Sequence, residues 1–213
     1  MKLFKALFLL LALLVAHSAS AITLATDNFT GGDANPIGGN WTTLSSGPSA
    51  LQRVSNAVQG TDTGSRNGAY YNAVSAPNDQ WSSLVITAAG GGHGPCVVVR
   101  AAVGADSYYA FCPIDAGGDA FDLAKVVAGA YTSLSSDFSA WAPGDTIKIE
   151  AQGTTIRGFI NGVEVASVTD SALASGQFGI VIGGESPLTN RVGDNWSGGD
   201  FTTAIRKQVI VID

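Results

Sequence analysis

The chain has 213 residues, with 11 basic against 17 acidic side chains and a formal net charge of −6 at pH 7. That sign opposes binding to nucleic acid and to anionic membrane surfaces, so both partner classes are set aside. Charged residues make up only 13% of the chain and glycines number 27, which fits many short strands joined by tight turns.

Residues 1–21 read as a secretory signal peptide. Lys2 and Lys5 form the basic start, Ala6–Ala16 is an unbroken apolar run, and Ala19-Ser20-Ala21 is a small-x-small cleavage site before Ile22. The run is too short to span a bilayer, which needs about 20 residues. Residues 22–213 are therefore expected to form one exported domain with no membrane insertion.

Leu24–Phe29, ending in Asp27-Asn28-Phe29, reads as a first strand, and Asn40-Trp41 opens a second element. Leu51–Val58 and Ala69–Ala73 read as further short strands. Gln80–Ala88 is a stronger one, with Leu84 and Ile86 alternating with Val85 and Thr87. Ala89–Gly94 is a glycine loop carrying His93. Pro95–Ala102 and Ser107–Ile114 read as a hairpin around Gly104, and Ala120–Tyr131 as one strand. From Gly144 to Gly184 a meander follows. Ile147, Ile149 and Ala151 alternate with Lys148 and Glu150, and Gln152-Gly153 makes a turn. Asn161-Gly162 is a two-residue hairpin turn, because both positions tolerate positive φ. Phe178–Ile182 adds another apolar strand. The tail holds Val209–Ile212, read either as a last strand or as a segment that pairs with a second chain.

A register that places Cys96 opposite Cys112 on the hairpin favours a disulfide in an exported protein. A two-residue turn at Gly104-Ala105 would shift that register by one and leave buried thiols or a metal pair instead. The closed loop of about 15 residues is worth roughly 3 kcal/mol. The same register puts Arg100 across from Tyr108, so these two are the candidate ligand-binding pair, with an ordinary cross-strand contact as the alternative. In Tyr70-Tyr71 and Tyr108-Tyr109, alternation sends one ring of each pair to the core and the other to a surface.

The hairpin Gly158-Phe159-Ile160-Asn161-Gly162 and the later Ser175-Gly176-Gln177-Phe178-Gly179-Ile180 resemble the back half of the concanavalin A-like lectin/glucanase superfamily, including its laminin G-like members. The resemblance implies an all-β antiparallel sandwich of jelly-roll type that recognises carbohydrate or another extracellular polymer. It also implies that the Asp27-Asn28-Phe29 strand lies beside a last strand containing Val192–Trp196. Asp27 and Asp194 then become the candidate ligands of a structural calcium ion, with Asp115–Asp119 as a second candidate; the alternative is that these aspartates cap turns. Trp141, in the segment Trp141–Asp145, is expected to pack the sandwich.

The superfamily's glucanases carry paired glutamates in an E-x-D-x-x-E or E-x-D-x-E strand. Here Glu150, Glu164 and Glu185 stand apart. His93 has no G-x-S-x-G elbow beside it and too few partners for a zinc site. The reading is an exported, non-catalytic domain that binds glycan. The alternatives are a polysaccharide-active hydrolase or lyase, and an assembly subunit that associates through its C-terminal tail.

Overall fold

Alternating apolar and polar residues in short runs can bury only one face each, so the strands must stack as layers. In the computed structural model, which describes residues 20–44, 47–114, 120–137 and 140–202, they do so as two antiparallel sheets. The strands are β1 (Ser20–Asp27), β2 (Trp41–Thr43), β3 (Leu51–Val54), β4 (Ala57–Gly60), β5 (Asn67–Tyr71), β6 (Gln80–Ala89), β7 (Pro95–Ala101), β8 (Tyr108–Ile114), β9 (Ala120–Val127), β10 (Ala130–Asp137), β11 (Thr146–Gln152), β12 (Thr155–Ile160), β13 (Val163–Thr169), β14 (Gln177–Ile182) and β15 (Arg191–Thr202). Sheet A runs β13-β12-β11-β6-β15-β4-β3, with β1 also paired to β15, and sheet B runs β10-β9-β8-β7-β14-β5-β2. No helix among the described residues is long and apolar enough to cross a membrane.

The main core lies between the sheets. Leu84, Ile86, Ile147, Ile149 and Ile156 of sheet A meet Val97, Val99, Tyr109, Phe111, Phe121, Phe178 and Ile180 of sheet B. A second buried cluster, including Cys96, Val98, Tyr108, Ala110, Cys112, Val126 and Val181, covers the outer face of sheet B. Tyr109 and Tyr71 point inward, while Tyr108 and Tyr70 belong to the outer side, as alternation requires. Trp141 is half-buried and packs on the main core.

Two expected strands are in fact hairpins. Leu51–Val58 breaks at Ser55-Asn56, where both residues have positive φ (53° and 61°), and β3 folds back on β4. Ala120–Tyr131 breaks at Ala128-Gly129 (48° and 83°) into β9 and β10. Neither dipeptide is a strong turn signal, and pairing with neighbouring strands fixes the bend. The meander agrees with expectation: Asn161 and Gly162 have φ of 49° and 81°, and β12 pairs with β13 across them. β1 starts at Ser20, two residues before the expected mature start, because Ser20 and Ala21 pair with Thr202 and Phe201. The second calcium candidate, Asp115–Asp119, and the tail with Val209–Ile212 lie outside the described residues.

Candidate functional site

Asp27 pairs with Trp196, so the two Asp-Asn-aromatic motifs are neighbours across β1 and β15. Asp27 accepts hydrogen bonds from the Phe29 amide (2.7 Å) and from Trp41 Nε1 (2.7 Å), which anchors Trp41 in a cluster of rings with Tyr71 and Trp196. Asp194 accepts from the amide and the side chain of Asn195. A small surface cavity at this end is lined by Asp27, Asn28, Asn195 and Ser197, but not by Asp194. No group of three His, Cys, Asp or Glu side chains able to hold a metal ion occurs among the described residues. As arranged, Asp27 and Asp194 accept from backbone, side-chain amide and indole N–H groups.

Cys96 and Cys112 are joined in a disulfide between β7 and β8. The register around it pairs Val97 with Phe111 and Val99 with Tyr109, as the hairpin reading requires. Arg100 and Tyr108 nevertheless form no patch. Arg100 has φ of 52°, and the alternation of β7 restarts there, since Val98 and Ala101 both belong to the outer cluster. Its buried guanidinium donates to the carbonyls of Asn78 (3.0 Å), Leu173 (3.0 Å) and Gly153 (2.7 Å), away from Tyr108. A backbone irregularity that alternation could not foresee thus sends the side chain across to the turn between β11 and β12.

Tyr108 itself lies on the wall of a cavity of about 490 Å³ on the outer face of sheet B. The floor is apolar: the Cys96–Cys112 disulfide, Ala110, Val126 and Val181. The size falls in the range of small-molecule sites, and an apolar floor with few polar groups on the rim is their usual makeup.

One wall is the loop from Thr61 to Arg66. Asn67, fully buried at the start of β5, staples it. Its Oδ1 accepts from the amides of Thr61 (2.8 Å) and Asp62 (2.9 Å), and its Nδ2 donates to the carbonyls of Asp62 (2.9 Å) and Ser65 (3.1 Å). The Gly64 amide, then the Ser49 hydroxyl, hold the Asp62 carboxyl below its ordinary value. Arg66 reaches from this loop to the buried Asp106 and to the Gly129 carbonyl, closing the loop over the β9–β10 turn.

The adjoining wall carries His93 and Glu185. Glu185 pairs with the fully buried Arg191 (3.3 Å), which also donates to the Glu185 carbonyl. Gly184 packs so tightly on this wall that an added Cβ would lie 1.8 Å from the Ser65 carbonyl oxygen, so only glycine fits.

The third wall is Tyr131. Tyr108 pairs with Val126, and Val126 with Tyr131, so the three form one row across β8, β9 and β10. The Tyr131 hydroxyl donates to Asp122, and Ser133 donates to the same carboxylate (2.6 Å). Burial, helped by Asp122, raises the Tyr131 hydroxyl well above its ordinary value and keeps it a neutral donor. The His93 ring meets that of Tyr131 edge-on at 5.4 Å. Of these residues, sequence reasoning singled out Tyr108 for binding and read His93 as part of a turn. Arg66, Asp122, Tyr131 and Glu185 come from four separate segments and carry no local motif.

No protein-family model matches the sequence, and comparison with curated proteins finds no match. Solved structures do match. The carbohydrate-binding module CBM66 from Bacillus subtilis is 20% identical, with a TM-score of 0.57 over 73% of this chain and 91% of that one. The GH43 protein BlXynB from Bacillus licheniformis (a K247S mutant) is 12% identical, with a TM-score of 0.58 over 83% of this chain but only 39% of that one. Domain 4 of AbnA, a GH43 extracellular arabinanase from Geobacillus stearothermophilus solved with arabinotriose, is 14% identical, with a TM-score of 0.52 over 85% and 93%. With its two facing antiparallel sheets and these likenesses, the chain has the concanavalin A-like lectin/glucanase fold.

Proposed function

We propose that this chain is an exported, non-catalytic carbohydrate-binding domain that takes its ligand in the cavity on the outer face of sheet B. The observation that carries the reading is the cavity itself: an apolar floor walled by Tyr108, Tyr131, His93, Arg66 and Glu185. Sugars have apolar C–H faces and polar hydroxyl rims, and a floor of this kind with aromatic and hydrogen-bonding walls suits both. The likeness to CBM66 over nine-tenths of that module, and to an arabinanase domain solved with arabinotriose, supports the same class of ligand.

The test applies residues 22–213 to arabinan, xylan, β-glucans, chitin and bacterial exopolysaccharides, reading both retention and reducing-end release. Retention without release is the expected result. Steady release, abolished by one Asp or Glu substitution, would make the domain an enzyme. Neither retention nor release on any polymer would favour an assembly subunit, which a sizing column with and without residues 203–213 would then examine.

A further inference from the structure

We propose that this site takes a neutral sugar ring against Tyr131, that Asp122 is the positioning residue holding that platform, and that the already paired charges on the walls favour a neutral sugar over an acidic one. The inference rests on the carbohydrate reading above and names the ligand class of that same site.

Tyr131 is 41% exposed and lines the cavity, yet its hydroxyl is tied to a carboxylate only 3% exposed. Burying a carboxylate is costly, and a surface tyrosine that merely met water would need none behind it. Asp122 is reached from β9, one strand away, and a second hydroxyl, from Ser133, completes its partners. With His93 against the ring as well, both ends of Tyr131 are held before any ligand arrives. A platform fixed in advance loses little rotamer freedom on binding, so more of the contact energy appears as affinity. The ring offers the C–H face of a sugar an apolar surface, and the disulfide, Ala110 and Val126 continue that surface inward.

Charge then selects the sugar. Two guanidiniums, Arg66 and Arg191, stand near the cavity, and each is already paired, with Asp106 and Glu185. Asp122 lies behind Tyr131 rather than on the lining, and accepts from the Tyr131 and Ser133 hydroxyls. His93 is the other titratable side chain on the wall with a basic form. The two permanent charges on the lining, Arg66 and Glu185, are thus of opposite sign and each is already paired within the protein, so an acidic sugar gains no free cation there and a neutral ring fits the lining best.

The experiment is calorimetric titration of the wild type and of Tyr131→Ala, Tyr131→Phe, Asp122→Ala and Asp122→Asn. The probes are neutral trisaccharides (arabinotriose, xylotriose, laminaritriose, chitotriose) and acidic ones (tri-galacturonate, sialyllactose), with melting midpoints confirming that each variant folds. A neutral probe is expected to bind tightest, and Tyr131→Ala to weaken it by about tenfold or more. Asp122→Ala is expected to weaken it several-fold. Asp122→Asn keeps one acceptor oxygen for the Tyr131 hydroxyl, so it should bind the neutral probe like wild type. An acidic probe binding tightest, or Tyr131→Ala binding undiminished, overturns the proposal. Asp122→Asn as weak as Asp122→Ala would overturn the positioning role. Failure of the wild type to bind any glycan would instead remove the carbohydrate reading itself, a result distinct from wild-type binding that ignores Tyr131.

Discussion

Asn67 shows how one side chain can define a wall of the site. It satisfies two amides and two carbonyls of the Thr61–Arg66 loop, all on the inner side of a turn with no sheet partner. Asn67→Ala leaves those part-buried groups without their partner, and each unmet group is costly. The expected loss is about 2–4 kcal/mol in urea denaturation, with weaker glycan retention. An unchanged midpoint would mean that water replaces the amide. In the sequence, Asn67 stands in a polar stretch, Thr61–Asn67, that looks like any solvated loop. Its role is readable only once the loop is seen folded around it.

At the scale of elements, two hairpins make opposite points. Asn161-Gly162 was legible because its turn needs positive φ at both residues and the sequence supplies the two types that accept it. Gly162→Val should cost about 1–3 kcal/mol, read as a lower melting midpoint; no change would show that the turn tolerates a β-branched residue. Ala128-Gly129 was not legible, since only one of its two residues favours that conformation, and β10 went unseen as a separate strand. Tyr131 was thereby placed at the end of a strand it does not belong to. The β7–β8 hairpin gave its disulfide correctly, and unreduced, unfolded protein should titrate no free thiol. Reduction should lower stability by about 3 kcal/mol, and it should also weaken ligand binding, because the bond is part of the cavity floor.

For the whole molecule, the charges that join the layers set its pH range. Asp170, just after β13 in sheet A, accepts from Tyr109 (2.5 Å) of β8 and from Lys125 (2.5 Å) of β9. Burial alone would raise the Asp170 carboxyl, but hydrogen bonds from Lys125, Tyr109 and the Ala172 amide outweigh it and hold it below its ordinary value. Burial first, then Asp170, pushes the Tyr109 hydroxyl up to about 12. A lowered carboxyl stabilises the fold above its unfolded value, and that contribution is lost as pH falls through the folded one. A raised phenol stabilises the fold fully below its unfolded value of 10.0, and that contribution is lost as pH rises toward about 12. The melting midpoint should therefore be flat through neutrality, fall in acid, and fall again above about pH 10. Tyr109→Phe should soften the alkaline fall; a decline that begins below pH 9 in the wild type would contradict this account.

The sequence by itself determined the all-β class, most strands, the Asn161-Gly162 turn, the Cys96–Cys112 pair and that the two rings of each double tyrosine face opposite ways. All of these follow from alternation or from turn chemistry within a few residues, which a linear reading can see. It did not determine that Arg100 leaves its strand's alternation, because one positive φ redirects the side chain without leaving a mark in composition. Nor did it determine the cavity. Arg66, His93, Tyr131 and Glu185 converge only because β14 pairs with both β5 and β7 and the hairpin of β9 and β10 extends the same sheet. Those are pairings between segments far apart in the chain, fixed by packing the whole sandwich rather than by any local preference.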